Sequence, residues 1–228
     1  MAPLLSMPHL RLVIANKNYS SWSMRPWVLM RQAEIPFEEV MVAFDSEAWQ
    51  RRVPTLTPTG QVPVLWIDDE PVWDSLAIAE TVAELFPAAG LWPADARDRR
   101  RARAVCAQMH SGFGELRRAM PMNLNADLAG RGRTPQVDAD IEQVVALWTE
   151  CRERAGDRGP MLFGNFTIAD AMFAPVVTRF DTYGVTLPPV AAAYAQAVRA
   201  LASVRGWTAD ARTETAFVAR DEPYRVAP

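Results

Sequence analysis

The sequence predicts a small α/β domain followed by a larger all-helical domain. Strand and helix patterns alternate over the first part of the chain, a stretch rich in proline, glycine and alanine follows, and the patterns beyond it are helical. We place the α/β domain at residues 1–87, the linker at 88–96 and the helical domain at 97–228.

The first part has the element order β-α-β-α-β-β-α. Residues 10–15 form an apolar strand pattern. Ser23 is expected to cap the helix after it, which tolerates Pro26 in its first turn. Further strands are predicted within 37–44, over 62–67 and at 72–73, and further helices from 45 and over 75–86. Alternating elements that end in a hairpin predict a mixed four-stranded sheet covered by helices, as in thioredoxin-like domains.

The second part contains four helical patterns, at residues 97–120, 137–155, 167–183 and 190–204. The third opens with the capping box Thr167-x-x-Asp170. Gly112 and Gly114 are unfavourable inside the first pattern, which indicates either close packing or space for a ligand. These patterns predict a helical bundle.

Composition and charge exclude several classes of protein. With 228 residues, 50% hydrophobic and 22% charged, the chain can bury a sizeable core. Its mean hydropathy is -0.08, and no apolar run approaches the ~20 residues of a membrane span. Two cysteines, Cys106 and Cys151, exclude a disulfide framework, and with two histidines they do not predict a metal site. We expect a cytoplasmic protein, because so few cysteines fit a reducing compartment. Residues 1–10 also lack the continuous apolar stretch of a signal peptide.

Arginine dominates the basic residues, because Lys17 is the only lysine. We interpret this bias as the mark of a GC-rich bacterial genome. The densest run contains Arg97, Arg99, Arg100, Arg101 and Arg103. It fits either a nucleic-acid patch or a solvated helix face. The net charge of -3 favours the solvated face, so no nucleic-acid partner is expected.

Three groups of polar residues border the predicted sheet. In the first, Ser20, Ser21 and Ser23 lie between a strand and a helix. A helix N-terminus offers unpaired N–H groups and partial positive charge, so a thiolate or carboxylate bound there would be stabilised. A serine hydroxyl can donate a further hydrogen bond. The alternative is that these serines only form the loop and the cap.

The other two groups are Gln61-Val62-Pro63 and Asp74-Ser75. If the bond before Pro63 is cis, Val62 turns its backbone N–H and C=O outward, toward an extended peptide ligand. The alternative is an ordinary trans proline that opens a strand. Asp74 or Ser75 should cap the next helix, where a ligand carboxylate can bind while Asp74 meets an ammonium group. A plain cap is the alternative.

Together these groups make the chain resemble the cytosolic glutathione transferases over nearly its whole length. It is most similar to the zeta class, whose S-S-C-x-W-R motif resembles residues 20–25. The Q-V-P segment of that class matches 61–63, and its Q-S-L-A-I segment matches 74–78. The capping box of the family's helical domain matches 167–170.

The resemblance implies that glutathione is a co-substrate and that a serine assists its thiolate. Ser20 matches the first serine of the zeta motif, and shorter motifs of related classes point to Ser21 instead. A free cysteine thiol has a pKa near 8.5, which a hydrogen bond and a helix N-terminus would lower. The thiolate would then attack a small hydrophobic electrophile. No metal is implied.

The resemblance also assigns the groups that hold glutathione. Val62, before a cis Pro63, would pair with the cysteinyl backbone. Asp74 and Ser75 would hold the γ-glutamyl ammonium and carboxylate groups, and Gln61 would lie near the glycyl end.

The sequence departs from the zeta pattern in three places. Trp22 replaces the cysteine of the motif and Met24 replaces its tryptophan. Zeta enzymes have an arginine late in the third helix of the helical part, which meets the substrate carboxylate. That position is Thr182 here, and the nearest arginine is Arg179. This shift weakens the case for maleylacetoacetate isomerisation.

The electrophile should bind between the two domains. Six residues are candidates for that pocket: Trp22, His110, Phe113, Met120, Met122 and Arg179. The alternative for His110 is a partly buried helix residue with both ring nitrogens bonded, and for Phe113 and the methionines it is a place in the core.

Three functions fit these observations. The first is a glutathione transferase that acts by conjugation or peroxide reduction, the second is a glutathione-dependent isomerase, and the third is a non-enzymatic regulator that binds glutathione. The family implies a homodimer. Since the first domain contains no C-x-x-C motif, any reactive sulfur must arrive with the ligand.

Overall fold

The computed structural model describes residues 7–226. The first part contains a four-stranded sheet in the order β2-β1-β3-β4. Its strands are β1 (Leu10–Ile14), β2 (Glu38–Met41), β3 (Val64–Ile67) and β4 (Glu70–Val72). Strand β1 is parallel to β2 and antiparallel to β3, which is in turn antiparallel to β4. The predicted mixed, thioredoxin-like sheet is confirmed.

Three helices accompany the sheet: α1 (Ser21–Gln32), α2 (Glu47–Leu56) and α3 (Ser75–Leu85). Helix α1 begins earlier than predicted, because Ser20 and not Ser23 is its N-cap. The Ser20 hydroxyl accepts a hydrogen bond from the Ser23 amide over 3.4 Å. The prediction for Ser23 was therefore wrong, and Pro26 lies inside α1 beyond the first turn.

Six α-helices follow: α4 (Ala96–Ser111), α5 (Gly114–Ala119), α6 (Pro135–Ala155), α7 (Ile168–Thr182), α8 (Pro189–Ala200) and α9 (Ala202–Ala211). The capping box at α7 is present as predicted, with Asp170 Oδ2 accepting from the Thr167 amide over 2.8 Å. Between residues 7 and 226, no helix is long and apolar enough to cross a membrane.

Two predicted helices are each divided in the structure. The first breaks at Gly112 and Phe113, where Phe113 has a φ of 56°. A Cβ atom on Gly112 would lie 2.7 Å from the Gln108 carbonyl oxygen, so this glycine serves a tight helix end. The last pattern breaks at Leu201, whose ψ of 134° separates α8 from α9.

The two parts share one continuous apolar core. Helix α1 packs against α7 and α9 of the helical part, and α3 contacts α4. The first turn of α1 is therefore held against α7, and this junction positions the candidate site.

The arginine run on α4 makes several contacts within the chain. Arg101 pairs with Glu150, and Arg103 Nε lies 3.5 Å from a carboxylate oxygen of Glu80. Arg99 donates to two backbone carbonyls before the helix. These contacts favour the interpretation of the run as a solvated helix face.

The residues after α9 return to the first part of the chain. We call residues 213–225 the C-terminal strap. Within it, Glu214 accepts a hydrogen bond from the Lys17 amide over 2.7 Å. Tyr19 Oη donates to Glu222 over 2.7 Å. The strap thereby lies against the loop between β1 and α1.

Candidate active site

A cleft of about 680 Å³ opens where the α/β part meets the helical part. Eleven of the predicted site residues line it: Ser20, Ser21, Trp22, Gln61, Val62, Pro63, Asp74, Ser75, His110, Met122 and Arg179. Phe113, which occupies the left-handed turn after α4, does not line the cleft and is buried in the core. Met120 is also buried in the core.

The two candidate serines differ in their hydrogen bonds, although each is only 5% exposed. Ser20 Oγ caps α1 and also donates to Ser23 Oγ over 2.8 Å. Ser21 Oγ accepts from Arg179 Nη2 over 2.9 Å. Ser20 therefore donates its hydroxyl proton to Ser23 in the first turn of α1, whereas Ser21 keeps its proton for a ligand in the cleft.

Arg179 is held firmly behind Ser21. It is buried, and its Nε donates to the Met120 carbonyl over 2.9 Å. Burial, followed by the charge of Arg117, lowers the pKa of Arg179 to about 10. Since that value lies well above neutral pH, the guanidinium keeps a fixed positive charge next to the Ser21 hydroxyl.

The Val62–Pro63 peptide bond is cis. Pro63 is buried, Val62 is half-buried and Gln61 is exposed. Within the described part of the chain, neither the N–H nor the C=O of Val62 forms a backbone hydrogen bond. The backbone here therefore offers one donor and one acceptor to an extended ligand.

Asp74 and Ser75 lie at the N-terminus of α3 with different roles. Asp74 is the N-cap, since its Oδ1 accepts from the Leu76 amide over 2.9 Å. Its Oδ2 lies 2.8 Å from His110 Nε2. Ser75 is 1% exposed, and its buried hydroxyl has no hydrogen-bond partner between residues 7 and 226. An unpaired buried hydroxyl is costly, so its place on the cleft wall points to a ligand.

Trp22 lies at the centre of a cluster of cations. Its ring centroid is 4.1 Å from the Arg25 guanidinium carbon and 5.0 Å from that of Arg117. The His110 ring meets it edge-on at 5.3 Å. Burial first, then the charges of Arg179 and Arg117, lower the pKa of Arg25 well below its ordinary value. Arginine side chains that repel one another are therefore packed around one indole ring.

The sequence left two interpretations of His110 open: a pocket residue, or a helix residue with both ring nitrogens bonded. His110 lines the cleft and its Nε2 meets Asp74, but its Nδ1 is buried without a partner among the described residues. The alternative with both nitrogens bonded is therefore wrong for Nδ1.

Ten further residues line the cleft that the sequence did not predict as site residues: Tyr19, Phe44, Trp49, Thr59, Gly60, Trp73, Arg117, Pro121, Arg220 and Asp221. Burial and the neighbouring Glu222 raise the pKa of Tyr19 to about 12, so its hydroxyl stays neutral. Tyr19 could have been predicted as a cleft residue from the sequence, because it directly precedes the serine motif. Nothing in the sequence distinguishes Arg117 in this way, since it is one of many arginines in a helical pattern.

Metal ligands do not gather at this site. Across residues 7–226, no cluster of three or more His, Cys, Asp and Glu side chains is suited to a metal ion. The thiols of Cys106 and Cys151 are buried, and neither residue lines the cleft.

Comparisons with known proteins agree with this architecture. The family model for the glutathione S-transferase N-terminal domain matches residues 19–85, and the model for the C-terminal domain matches residues 134–209. The chain belongs to the glutathione S-transferase family. The predicted family and fold are thus confirmed.

Two curated proteins are similar to this chain. A probable maleylacetoacetate isomerase of Caenorhabditis elegans is 26% identical over 171 residues, which are 75% of this chain and 79% of that protein. A dichloromethane dehalogenase of Methylorubrum extorquens is 40% identical over 65 residues, which are 28% of this chain and 23% of that protein. The first relative agrees with the resemblance to the zeta class.

Solved structures of the family are similar over most of their length. A glutathione transferase homologue from Burkholderia, crystallised with bound glutathione, has a TM-score of 0.69 and 25% identity. The match covers 90% of this chain and 99% of that one. A Tau class glutathione S-transferase from mango has a TM-score of 0.66 and 20% identity, with 90% and 96% covered.

Proposed function

We propose that this protein is a glutathione transferase in which the Ser21 hydroxyl donates a hydrogen bond to the glutathione thiolate. The observation that carries the proposal is the hydrogen bond from Arg179 to Ser21 Oγ. It occupies an acceptor position of the hydroxyl, fixes its orientation and leaves its proton available at the cleft. Ser20 is the weaker candidate, because its own proton is donated to Ser23.

Glutathione suits the other polar groups of the cleft. The free N–H and C=O of Val62 can pair with the cysteinyl backbone of the tripeptide. The unpartnered Ser75 hydroxyl at the start of α3 can bind the γ-glutamyl carboxylate, where the helix dipole also favours negative charge. Asp74 would meet the ammonium group, and Gln61 would lie near the glycyl end. The Burkholderia homologue, which binds glutathione, supports this assignment.

Thiolate formation is the step that the protein would promote. A free thiol has a pKa near 8.5, so only a small fraction is ionised at neutral pH. The Ser21 hydrogen bond, the charge of Arg179 and the N-terminus of α1 all favour the ionised form. The thiol proton passes to solvent. Each unit by which the pKa falls corresponds to about 1.4 kcal/mol of stabilisation of the thiolate.

The thiolate then attacks an electrophilic carbon of a small hydrophobic acceptor. With an aryl halide, a carbon–sulfur bond forms, the carbon–halogen bond breaks, and the halide leaves with the bonding electrons. Glutathione is consumed and a thioether is released. A cleft lined by Trp22, Phe44 and Trp49 suits the aromatic part of such an acceptor.

A glutathione-dependent isomerase is the second candidate, and the maleylacetoacetate isomerase relative favours it. In that reaction the thiolate adds to a double bond, the adduct rotates, and the carbon–sulfur bond breaks again. Glutathione is returned unchanged. The zeta-type arginine position is Thr182 here, and Arg179 is bonded to Ser21 and to backbone carbonyls, which favours the transferase.

Turnover by the wild type and two serine variants tests the proposal. The wild type should bind a glutathione resin and conjugate a chlorodinitrobenzene. Ser21→Ala should lower kcat/KM by about tenfold or more at neutral pH, because it removes a hydrogen bond to a charged group. Ser20→Ala should mainly cost stability, about 1 kcal/mol, through the lost cap.

Each contrary result has a distinct meaning. Full activity of Ser21→Ala with loss in Ser20→Ala would assign the role to Ser20. Turnover of maleylacetone alone would establish the isomerase. Binding of glutathione without turnover of aryl halide, hydroperoxide or maleylacetone would establish the non-enzymatic regulator.

We also propose that the protein acts as a cytoplasmic homodimer, as the family resemblance implies. Analytical ultracentrifugation should give the mass of two chains. A sedimentation pattern of single chains over a wide range of concentration would contradict the dimer.

A further inference from the structure

The cleft carries positive charge that the protein itself does not neutralise. Arg117 and Arg179 line it, and the guanidinium carbon of the buried Arg25 lies 4.1 Å from the Trp22 ring centroid. The described residues place no carboxylate in salt-bridge contact with any of the three, and their hydrogen bonds run to carbonyl groups and to Ser21. Guanidinium groups on a cleft wall without a carboxylate partner attract an anion.

The carboxylates of the cleft wall are already engaged. Asp74 caps α3 with one oxygen and meets His110 with the other. Asp221 lies 3.5 Å from Arg220 Nε. Neither is in salt-bridge contact with Arg117, and Asp140, whose charge acts on Arg117 from a distance, accepts a hydrogen bond from the Leu116 amide. A ligand can therefore supply negative charge in direct contact with this guanidinium.

Arg117 is the arginine with donors to spare. Its Nη1 donates to the His110 carbonyl over 3.1 Å, whereas Nε and Nη2 have no acceptor within residues 7–226 and are not buried. Arg179, in contrast, uses all three of its nitrogens, and the free nitrogens of Arg25 are buried. The Trp22 ring beside the Arg117 guanidinium helps to hold it at the cleft.

We propose that the acceptor substrate carries a carboxylate and that Arg117 binds it as a specificity-determining residue. The proposal rests on the proposed function, since it names the class of the second substrate. Nε and Nη2 lie along one edge of the guanidinium, and their N–H bonds are parallel. That edge matches the two oxygens of a carboxylate, a geometry that a lysine cannot reproduce.

A matched pair of acceptors tests the proposal. One is a chlorodinitrobenzoate with both nitro groups beside the chlorine, and the other is its carboxamide, which differs by one charge. Rates are divided by the uncatalysed rate with glutathione, so that ring reactivity cancels. The wild type should favour the acid by about tenfold in kcat/KM.

Variants of the neighbouring residues Arg117 and Arg118 distinguish a specific contact between Arg117 and the acceptor carboxylate from a general effect of positive charge. Arg117→Gln should abolish the preference for the acid, so that kcat/KM for the acid and for the carboxamide come within about twofold of each other. Arg117→Lys should keep the stacking and the charge but lose most of the preference, because the bidentate edge is gone. Arg118→Gln is the control, since Arg118 is exposed and pairs with Glu115, and it should retain the preference.

Equal rates for acid and amide in the wild type would overturn the proposal. So would a rise in the KM for glutathione alone in Arg117→Gln, because Arg117 would then serve a carboxylate of glutathione. Calorimetry with the chlorine-free acid and amide gives the same comparison without turnover. Tighter binding of that acid would uphold the anion site even if the protein conjugates nothing, whereas equal binding would remove it.

Discussion

Arg179 donates a hydrogen bond from Nη2 to the Oγ atom of Ser21 over 2.9 Å, across 158 residues of sequence. The contact joins α7 of the helical part to the first turn of α1, at the wall of the cleft. A buried positive charge therefore lies directly behind the hydroxyl that we assign to the thiolate. The assembly of both parts, and not the α/β part alone, completes this group.

Ser75→Ala should weaken glutathione binding without destabilising the fold. The Ser75 hydroxyl is buried and unpartnered in the described chain, so its removal breaks no internal hydrogen bond. Loss of its contact with a carboxylate should raise the KM for glutathione by about tenfold. Thr57→Val is the matched control, because the Thr57 hydroxyl is also buried and unpartnered but does not line the cleft. Similar KM values for both variants and the wild type would contradict the assignment.

Tyr19→Phe should affect stability and leave the thiolate unchanged. Tyr19 Oη donates to Glu222, whose side chain is fully buried in the strap. Loss of this bond should lower the free energy of unfolding by about 1–3 kcal/mol, measured by urea titration. The pH profile of conjugation should not move. A shift of that profile to higher pH would show that Tyr19, rather than Ser21, assists the sulfur.

Lys17→Met should destabilise the junction between β2 and α9. The Lys17 ammonium lies 2.7 Å from a Glu39 oxygen, 2.6 Å from one of Asp210 and 4.7 Å from the Trp27 ring centroid. Its removal leaves Asp210 without a cation and Glu39 with only Arg31, 4.0 Å away, which should cost about 2–3 kcal/mol in urea unfolding. Lys17→Arg keeps the charge and should lose less. Equal stability of all three proteins would show that the cluster contributes nothing.

Asp170 should make stability fall as the pH rises from about 4 to 6. Burial raises the pKa of this carboxyl to about 6, although it accepts hydrogen bonds from the Leu162 and Thr167 amides. The folded chain therefore binds a proton in this window that the unfolded chain releases, so unfolding becomes easier at higher pH.

Asp170→Asn isolates this effect because an amide does not ionise. The stability of the wild type relative to the variant should fall by about 2 kcal/mol between pH 4 and pH 7. Urea titrations at several pH values measure the difference. A relative stability that rises with pH would show that the amide hydrogen bonds outweigh burial and lower this pKa.

The sequence predicted the sheet, the family and about half of the cleft wall because local motifs determine them. Ser20 to Arg25 and Gln61 to Pro63 are contiguous segments whose geometry is set within a few residues. The errors have physical causes as well. The start of α1 depended on which serine reached the Ser23 amide, and spacing alone cannot decide between neighbouring hydroxyls.

The sequence could not predict contacts between residues that are far apart in the chain. Arg117 meets the cleft only because the chain turns at Gly112 and Phe113, where a continuous helix was predicted. The strap reaches the cleft after α9, a helix that the pattern did not separate from α8. Such contacts depend on tertiary packing, which periodicity does not encode.

The most direct test is a pH titration of glutathione bound to the protein, followed by the ultraviolet absorbance of its thiolate. In the wild type and in Ser20→Ala, the midpoint should lie about one unit or more below the free value of ~8.5. In Ser21→Ala it should return toward that value. A midpoint in Ser21→Ala equal to that of the wild type would contradict thiolate stabilisation by Ser21.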